Sequence, residues 1–262
     1  MSIDGNLSSQ NVHAAPAWRA MSAAVLVPSC TPARALVARF LRPDDIPALL
    51  RLEHRQWTEG QAADAAELLR RIEAYPSLCV GAFCSTTGEA LASLFMKPAR
   101  REQIARARSW KDCARSVDID ADAPRTRSLF GISLTSVDPK AAWSLIGFFW
   151  PCALKQGWRD IYLGSPIPGL KRALQWEHQL AVEHYARARR GGLPQDPQLR
   201  YYHRRGFREI VAVRPGYFPH EASLDYGVVL RGRIPLARLW PLWRRLPLPL
   251  LQRMSRFVTA LI

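Results

Sequence analysis

The stretch that decides the fold lies in the last third of the chain and reads Asp196-Pro-Gln-Leu-Arg-Tyr-Tyr-His-Arg-Arg-Gly-Phe207. Its apolar residues recur at the helical period and Gly206 ends the pattern, which predicts a short amphipathic helix. The segments Pro215-Gly-Tyr-Phe-Pro219 and Leu224-Asp-Tyr-Gly-Val-Val-Leu230 follow, and they predict a proline-rich turn and a strand. With a further strand directly after Gly206, this region is predicted to be a helix that leads into a β-hairpin.

Upstream of this stretch, predicted strands and helices alternate. Strands are predicted at 38–42, 77–85, 90–97, 129–137 and 159–164. Helices are predicted from Pro43, at 61–74, at 141–155 and, as one long helix, at 170–190. A charged segment at 98–127 is ambiguous and is interpreted as an insertion. The alternation predicts an α/β fold.

The order β-α-α-β-β-insertion-β-α-β-α-β-β, together with the Tyr202 to Phe207 signature, resembles the GNAT acyltransferase superfamily. Within it, the pattern is most similar to the GNAT-like loading domains of polyketide synthases and to lipid-type bacterial N-acyltransferases. The matching features are Trp57, Arg71-Ile72, Pro76, the Asp196-Pro-Gln-Leu-Arg motif, Tyr217-Phe-Pro219 and Tyr226-Gly-Val228. The resemblance implies a central mixed sheet flanked by helices over residues 34–232. It also implies attack by an amine on an acyl thioester.

The resemblance also implies roles for individual residues. Tyr202 takes the position of the general acid that protonates the departing thiolate, and its neighbour Tyr201 is expected to pack the helix against the sheet. A backbone N–H near the end of the 129–137 strand would polarise the thioester carbonyl, at Leu134, Thr135, Ser136 or Val137. The candidate bases are Glu53, His54 and His178, although each is more simply a solvated helix residue. Substrate-pocket candidates are Trp57, Phe149, Tyr217 and Phe218, and no metal site is expected.

Three departures from the family pattern bear on the donor. The loading domains carry a His where Tyr202 stands and tend to carry an Arg where Phe218 stands, so this chain favours plain acyl transfer. The usual glycine-rich pyrophosphate loop is replaced by Pro139 followed by Lys140, Ala141, Ala142, Trp143 and Ser144. Small residues and a lysine at a helix N-terminus retain part of a phosphate site, but without glycine the backbone is less approachable. The expected donor is therefore acyl-CoA, bound weakly, or an acyl carrier protein (acyl-ACP).

Composition bounds the partners. The 262 residues include 37 Lys plus Arg against 22 Asp plus Glu, which gives a net charge of +15. Such an excess favours an anionic partner, although a soluble protein from an arginine-rich proteome would look the same. Nucleic acid is not expected, because neither a zinc-finger nor a helix-turn-helix pattern is present. The five cysteines show no C-x-x-C spacing and predict a reducing compartment without disulfides.

The two ends of the chain differ in character. Residues 1–33 are rich in Ser, Ala, Asn and Pro and predict a flexible tail without a signal sequence. Residues 231–262 contain no acidic residue, and from Pro249 onward the apolar side chains share one helical face. A basic amphipathic extension at 233–262 is therefore predicted to lie on an anionic membrane surface. The membrane residues would be Trp240, Trp243, Arg244, Arg245, Arg253, Arg256 and Phe257. The alternative is a helix docked on the body of the protein or at a dimer interface.

These features together predict a cytoplasmic N-acyltransferase, peripheral on the inner face of the membrane. The apolar helix at 141–155 is typical of a buried core helix, and part of it is also a candidate groove for a long acyl chain. The expected acceptor is a lipid or lipid precursor, such as a sphingoid base or an amino acid. Two other hypotheses stay open: a polyketide-type loading enzyme that acts on a carrier protein, and a degenerate, non-catalytic GNAT fold that binds membrane or nucleic acid.

Overall fold

The structure is a computed structural model, and it describes residues 35–57, 62–115 and 126–258, with side chains through residue 253. The predicted tail at 1–33 lies outside these residues. The strands are β1 (Leu36–Phe40), β2 (Cys79–Cys84), β3 (Ala90–Pro98), β4 (Ser128–Ser136), β5 (Asp160–Pro166), β6 (Arg189–Arg190), β7 (Leu193–Pro194), β8 (Phe207–Arg214) and β9 (Gly227–Arg233). The helices are α1 (Ile46–Gln56), α2 (Ala65–Ala74), α3 (Arg101–Arg106), α4 (Trp110–Arg115), α5 (Pro139–Gln156), α6 (Leu170–Trp176), α7 (Val182–Arg187), α8 (Pro197–Arg204), α9 (Trp240–Arg245) and α10 (Leu248–Val258).

The central sheet has seven strands in the order β1-β2-β3-β4-β5-β9-β8. Neighbours are antiparallel except β4 and β5, which run parallel. The parallel pair is joined through α5, since parallel strands need a crossover connection. The predicted α/β fold with a mixed sheet flanked by helices is confirmed.

The helices cover both faces of the sheet. Helices α1 to α4 pack on one face, where Phe95, Phe130 and Tyr162 project. Helices α5, α9 and α10 pack on the other face against β2, β3 and β4, while α6, α7 and α8 cover β5, β8 and β9. Alternation along β5 supports this division, because Tyr162 joins the first cluster and its neighbours Ile161 and Leu163 join the other two.

The prediction of one long helix at 170–190 is wrong. The chain forms two short helices, α6 and α7, and then turns through the β6–β7 hairpin, in which Gly191 and Gly192 have positive φ. The helical apolar stripe of α6 is not continued after Leu174, because the following stretch is polar and Trp176 is 88% exposed. The break allows Tyr185 of α7 to reach the core.

The C-terminal segment packs on α5. Trp243 of α9 and Leu251 of α10 are buried in the same core cluster as α5. The Lys155 Nζ donates to the carbonyl oxygens of Arg244 at 3.3 Å and Leu246 at 2.8 Å. The docked arrangement that the sequence left open is therefore the one observed as far as Leu251. Among the described helices, none combines the length and apolarity needed to cross a bilayer.

Candidate functional site

The site is built where the two parallel strands separate. β4 and β5 are in register only from Ser128 to Gly131 and from Asp160 to Leu163. In β4, Ile132 is the extra residue of a β-bulge, because Gly131 and Ser133 oppose consecutive residues of β3. A bulge bends its strand and increases the local twist. Beyond it, β4 continues with β3 and β5 continues with β9, so that a cleft opens between the two halves of the sheet.

The predicted carbonyl-polarising amides lie along this diverging part of β4. Leu134 pairs with Leu94 and is exposed on the face that carries α5. Thr135 and Ser133 project to the opposite face, since their β3 partners Ser93 and Phe95 do so. The Val137 amide is not available, because it donates to the Leu91 carbonyl at 3.0 Å. Ser136 closes the turn into α5, with its Oγ bonded to the Asp138 carbonyl at 2.8 Å.

The N-terminus of α5 is occupied by the chain's own groups. The Asp138 carboxylate accepts from the Lys140 amide at 2.8 Å, and Pro139 has no N–H to offer. The Ala142 amide donates to the Asp138 carbonyl at 3.1 Å. A helix N-terminus binds phosphate through free amides and the positive end of its dipole, so the Asp138 carboxylate competes with an incoming phosphate.

The other predicted cofactor residues divide between surface and core. Ala141 is fully buried and faces the core, and the Ser144 Oγ donates to the Ala141 carbonyl at 2.7 Å. Lys140 and Trp143 are exposed. Arg205, which follows α8, lies between α8 and α5: its guanidinium is 3.5 Å from the centre of the Tyr201 ring and 5.8 Å from the Trp143 ring. A cation therefore lies beside the first turns of α5. The sequence did not predict it, because Arg205 and Trp143 are far apart in the chain.

Asp196 positions the helix that carries the two tyrosines. It caps α8 by accepting from the Gln198 and Leu199 amides at 2.8 and 3.2 Å. Its second carboxylate oxygen accepts from the Gly169 amide at 2.9 Å and from the Tyr185 hydroxyl at 3.0 Å. One buried carboxylate thus fixes α8 relative to α7 and to the start of α6.

On α8 the two tyrosines have different surroundings. Tyr202 packs edge-on against Phe207, with 5.9 Å between ring centres, and lies in the cluster that includes Leu163 at the divergence point. Burial raises the pKa of Tyr202 to about 12, so the phenol keeps its proton at ordinary pH. Tyr201 is the ring beneath Arg205 and so faces α5 rather than simply packing the helix on the sheet.

On the opposite face, a chain of hydrogen bonds joins α1 to β4. The Trp57 indole Nε1 donates to the Thr135 Oγ1 at 2.8 Å, and the Thr135 hydroxyl donates to the Glu53 Oε1 at 2.6 Å. Glu53 is 3% exposed and Thr135 is 1% exposed. Of the three candidate bases, Glu53 is the one that the structure places against the diverging strand. His54 is exposed on α1, and His178 is exposed in the connection between α6 and α7.

Aromatic side chains line this face of the cleft. The Trp110 indole, from the insertion, donates to the carbonyl of the bulge residue Ile132 at 3.2 Å. Its ring is 6.1 Å from that of Phe218, which in turn packs edge-on against Tyr217. Gly164 of β5 leaves room for them, because a Cβ there would meet Tyr217 at 2.7 Å and Phe218 at 2.8 Å. Trp110 was missed from the sequence, since nothing in the charged insertion marks it as reaching β4.

Two predicted residues lie elsewhere. Phe149, predicted for the substrate pocket, is buried on the sheet side of α5, within the core. Trp243, predicted to contact a membrane, also faces inwards, and its Nε1 donates to the Leu236 carbonyl at 2.8 Å. An amphipathic pattern identifies the apolar face of a helix but not whether protein or lipid covers it.

The outer surface of the C-terminal segment is basic and partly apolar. Arg244, Arg245 and Arg253 are exposed, and Trp240 is half-buried, with its ring 4.4 Å from the Arg127 guanidinium and 5.4 Å from that of Arg244. The side chains of Arg256 and Phe257 lie outside the described residues. Four leucines of this segment, which we call the leucine surface, are exposed: Leu236, Leu239, Leu242 and Leu250.

Comparison with known proteins agrees with this geometry. Neither a protein-family model nor a curated protein sequence matches the chain. Among solved structures, the GphF GNAT-like decarboxylase in complex with isobutyryl-CoA is similar at 24% identity and a TM-score of 0.57, over 76% of this chain and 99% of that one. The loading GNATL domain of CurA from Lyngbya majuscula is similar at 16% identity and a TM-score of 0.59, over 76% and 98%. The chain therefore has the GNAT fold.

Proposed function

We propose that this protein transfers an acyl group from an acyl thioester to an amine. The observation that carries the proposal is the cleft between β4 and β5, where β4 after Gly131 no longer pairs with β5. The α8 tyrosines lie on one face of this cleft and a buried carboxylate lies on the other. A thioester carbonyl placed against β4 would be polarised by a backbone N–H in the Leu134 to Ser136 stretch. The acceptor amine attacks that carbonyl, and the thiolate departs.

Tyr202 is the proposed proton donor to the thiolate. Its pKa of about 12 means that the phenol is protonated whenever a thioester is bound. A thiol has a pKa of about 8.5, so full proton transfer from this phenol to the free thiolate is uphill. The phenol therefore acts by donating a hydrogen bond that strengthens as negative charge develops on the sulfur. The phenolic proton is transferred to the sulfur as the attacking nitrogen loses its own proton.

The donor is proposed to be acyl-CoA or acyl-ACP. The similar GphF decarboxylase is in complex with isobutyryl-CoA, which supports the first. The occupied N-terminus of α5 favours the second, because a carrier-protein arm has one phosphate rather than the pyrophosphate of CoA. Arg205 is well placed to receive that single phosphate between α8 and α5. The test is to measure kcat/KM of the purified protein with the same acyl group attached to CoA and to a carrier protein. The donor with the higher kcat/KM is the preferred one.

A lipid acceptor and a membrane-peripheral location are further parts of the proposal. They are supported by the leucine surface and by the arginines around it, since exposed apolar side chains beside basic ones suit an anionic bilayer. Co-sedimentation with phosphatidylglycerol vesicles tests the location: Leu239→Ser with Leu242→Ser should weaken binding about tenfold. Leu224→Ser, an exposed leucine outside the segment, should not.

Mass spectrometry of lipid extracts tests the reaction. Cells that produce the protein should contain a new long-chain amide, whose mass identifies the acyl group and the acceptor. Tyr202→Phe should lower its rate of formation about a hundredfold, while the neighbouring Tyr201→Phe, which keeps the ring beneath Arg205, should not. An unchanged lipidome would exclude the lipid acceptor and leave the carrier-protein reaction. Equal rates for Tyr202→Phe and the wild type would exclude the proposed acid.

A further inference from the structure

The side of β4 that faces α1 contains polar groups that the fold does not use. Glu53 is a buried carboxylate, and its described hydrogen-bond partners are the Thr135 hydroxyl at 2.6 Å and the more distant Ala63 amide at 3.4 Å. No ion pair to Glu53 is present among the described residues. An ionised carboxylate that is buried without a cation is costly, because nearby protein dipoles replace water only in part.

Two hydroxyls near Thr135 on the same face of the sheet make no hydrogen bond to the described residues. The Ser93 Oγ and the Ser133 Oγ are buried and make no hydrogen bond within the described part of the chain. Ser93 is 0% exposed and lies directly opposite Thr135, so their side chains project from the same face at neighbouring positions. Ser133 is two residues from Thr135 on β4 and therefore projects to that face as well. Buried polar atoms are rarely left unsatisfied, so this cluster has unused capacity for a ligand.

We propose that Glu53, Ser93, Ser133 and Thr135 form the subsite that receives the acceptor as a primary ammonium group. An ammonium has three donors, and the cluster offers a carboxylate and three hydroxyl oxygens as acceptors. The Thr135 hydroxyl already donates to Glu53 and accepts from Trp57, which leaves one lone pair for the ligand. Trp57, which is half-buried, contacts the cluster through its hydrogen bond to Thr135. This inference rests on the proposed function, because it supplies the acceptor of that reaction.

The subsite also explains how the nucleophile is made. Glu53 takes one proton from the ammonium, which leaves a neutral amine and a neutral carboxyl. The amine nitrogen bonds to the thioester carbon, the carbon–sulfur bond breaks, and the sulfur leaves as a thiolate. The nitrogen then loses a second proton as the amide forms, and the thiolate gains one to become a thiol. Glu53 returns its proton to solvent, so that protons and charge balance.

Calorimetric titration of the full chain with n-octylamine tests the subsite without requiring turnover. Neutral n-octanol is the matched ligand that lacks the charge. Glu53→Gln keeps the side-chain volume and a hydrogen bond to Thr135 while removing the charge, so octylamine should bind about tenfold more weakly and octanol equally well. If octylamine binds the wild type and Glu53→Gln equally, or does not bind the wild type, the inference is overturned whether or not the protein transfers acyl groups.

Ser93→Ala separates a ligand site from a structural role. Removing a buried, unpaired hydroxyl should leave the free energy of unfolding unchanged or raise it, since no hydrogen bond is lost. The subsite nevertheless predicts severalfold weaker binding of octylamine to this variant. Affinity equal to that of the wild type would mean that the cluster is only part of the packing, and it would overturn the inference even if acyl transfer is observed.

Discussion

Replacing Asp196 by alanine should destabilise the protein strongly. The side chain is fully buried, and burial raises the pKa of its carboxyl group, while four hydrogen bonds to it oppose that shift. Alanine removes the cap of α8, which costs about 1 kcal/mol. It also leaves the buried Tyr185 hydroxyl and the half-buried Gly169 amide without their acceptor, at about 1–3 kcal/mol each. Losing a buried charge offsets part of this. The expected decrease in the free energy of unfolding is about 3 kcal/mol.

Thermal and urea unfolding, followed by circular dichroism, measure the effect. For a domain of this size, about 3 kcal/mol corresponds to a decrease in Tm of roughly 6–12 °C. The matched control is Asp64→Ala, which removes the exposed cap of α2 and one hydrogen bond, from the Glu67 amide at 2.7 Å. That variant should lose about 1 kcal/mol. If Asp196→Ala costs no more than Asp64→Ala, the view that Asp196 connects three helices is wrong.

Three other predictions concern conformational strain, ionisation and the donor site. Gly157→Ala places a side chain at φ +82° against the Trp240 indole and should lower the free energy of unfolding in urea by about 1–3 kcal/mol. The control is Gly191→Ala, whose new Cβ meets open space and which should cost less. Equal costs would contradict the contact with Trp240. The pKa of Tyr202 is raised from about 10 to about 12, so its contribution to stability is complete below about pH 10 and is lost as the pH rises towards 12. In calorimetry between these pH values, the Tm of the wild type should therefore fall more steeply than that of Tyr202→Phe. Parallel curves of Tm against pH would refute this. Asp138→Ser keeps a cap on α5 without its charge and should raise the affinity for CoA about threefold in titration calorimetry, whereas unchanged or weaker binding would show that Asp138 does not oppose the phosphates.

The sheet could be predicted from the sequence because its signals are local. Two apolar runs separated by the turn residues at 86–89 predicted the hairpin of β2 and β3, and the Asp196-Pro pair predicted the start of α8 within one residue. The long helix at 170–190 failed for a different reason. Helix propensity is high throughout that segment, but the helix ends where its next apolar contact would have to be made by Glu177 or His178.

The site was less accessible to sequence reasoning because its contacts join distant segments. Glu53 and Thr135 are 82 residues apart. The Trp110 indole is hydrogen-bonded to Ile132, which is the extra residue of a β-bulge that no sequence pattern predicted. The helical spacing put Glu53 and Trp57 near one face of the first helix but gave no reason to connect them with Thr135. Ser93 was overlooked altogether, since a serine in an apolar strand has no distinguishing pattern until its partner strand is known.

The two buried carboxylates show how structural and functional acids differ. A carboxylate has about four lone-pair sites for hydrogen bonds. Asp196 receives four donors from the chain, three amides and one phenol, so its capacity is filled and its role is complete within the fold. Glu53 receives one short hydrogen bond and one long one among the described residues, beside two hydroxyls that have no partner. An arrangement needed only for packing would be more stable with apolar side chains of similar shape, because the desolvation cost of a buried charge is offset only when the charge is fully hydrogen-bonded. The unfilled capacity around Glu53 is therefore better explained by a ligand that donates several hydrogen bonds at once, as a primary ammonium does.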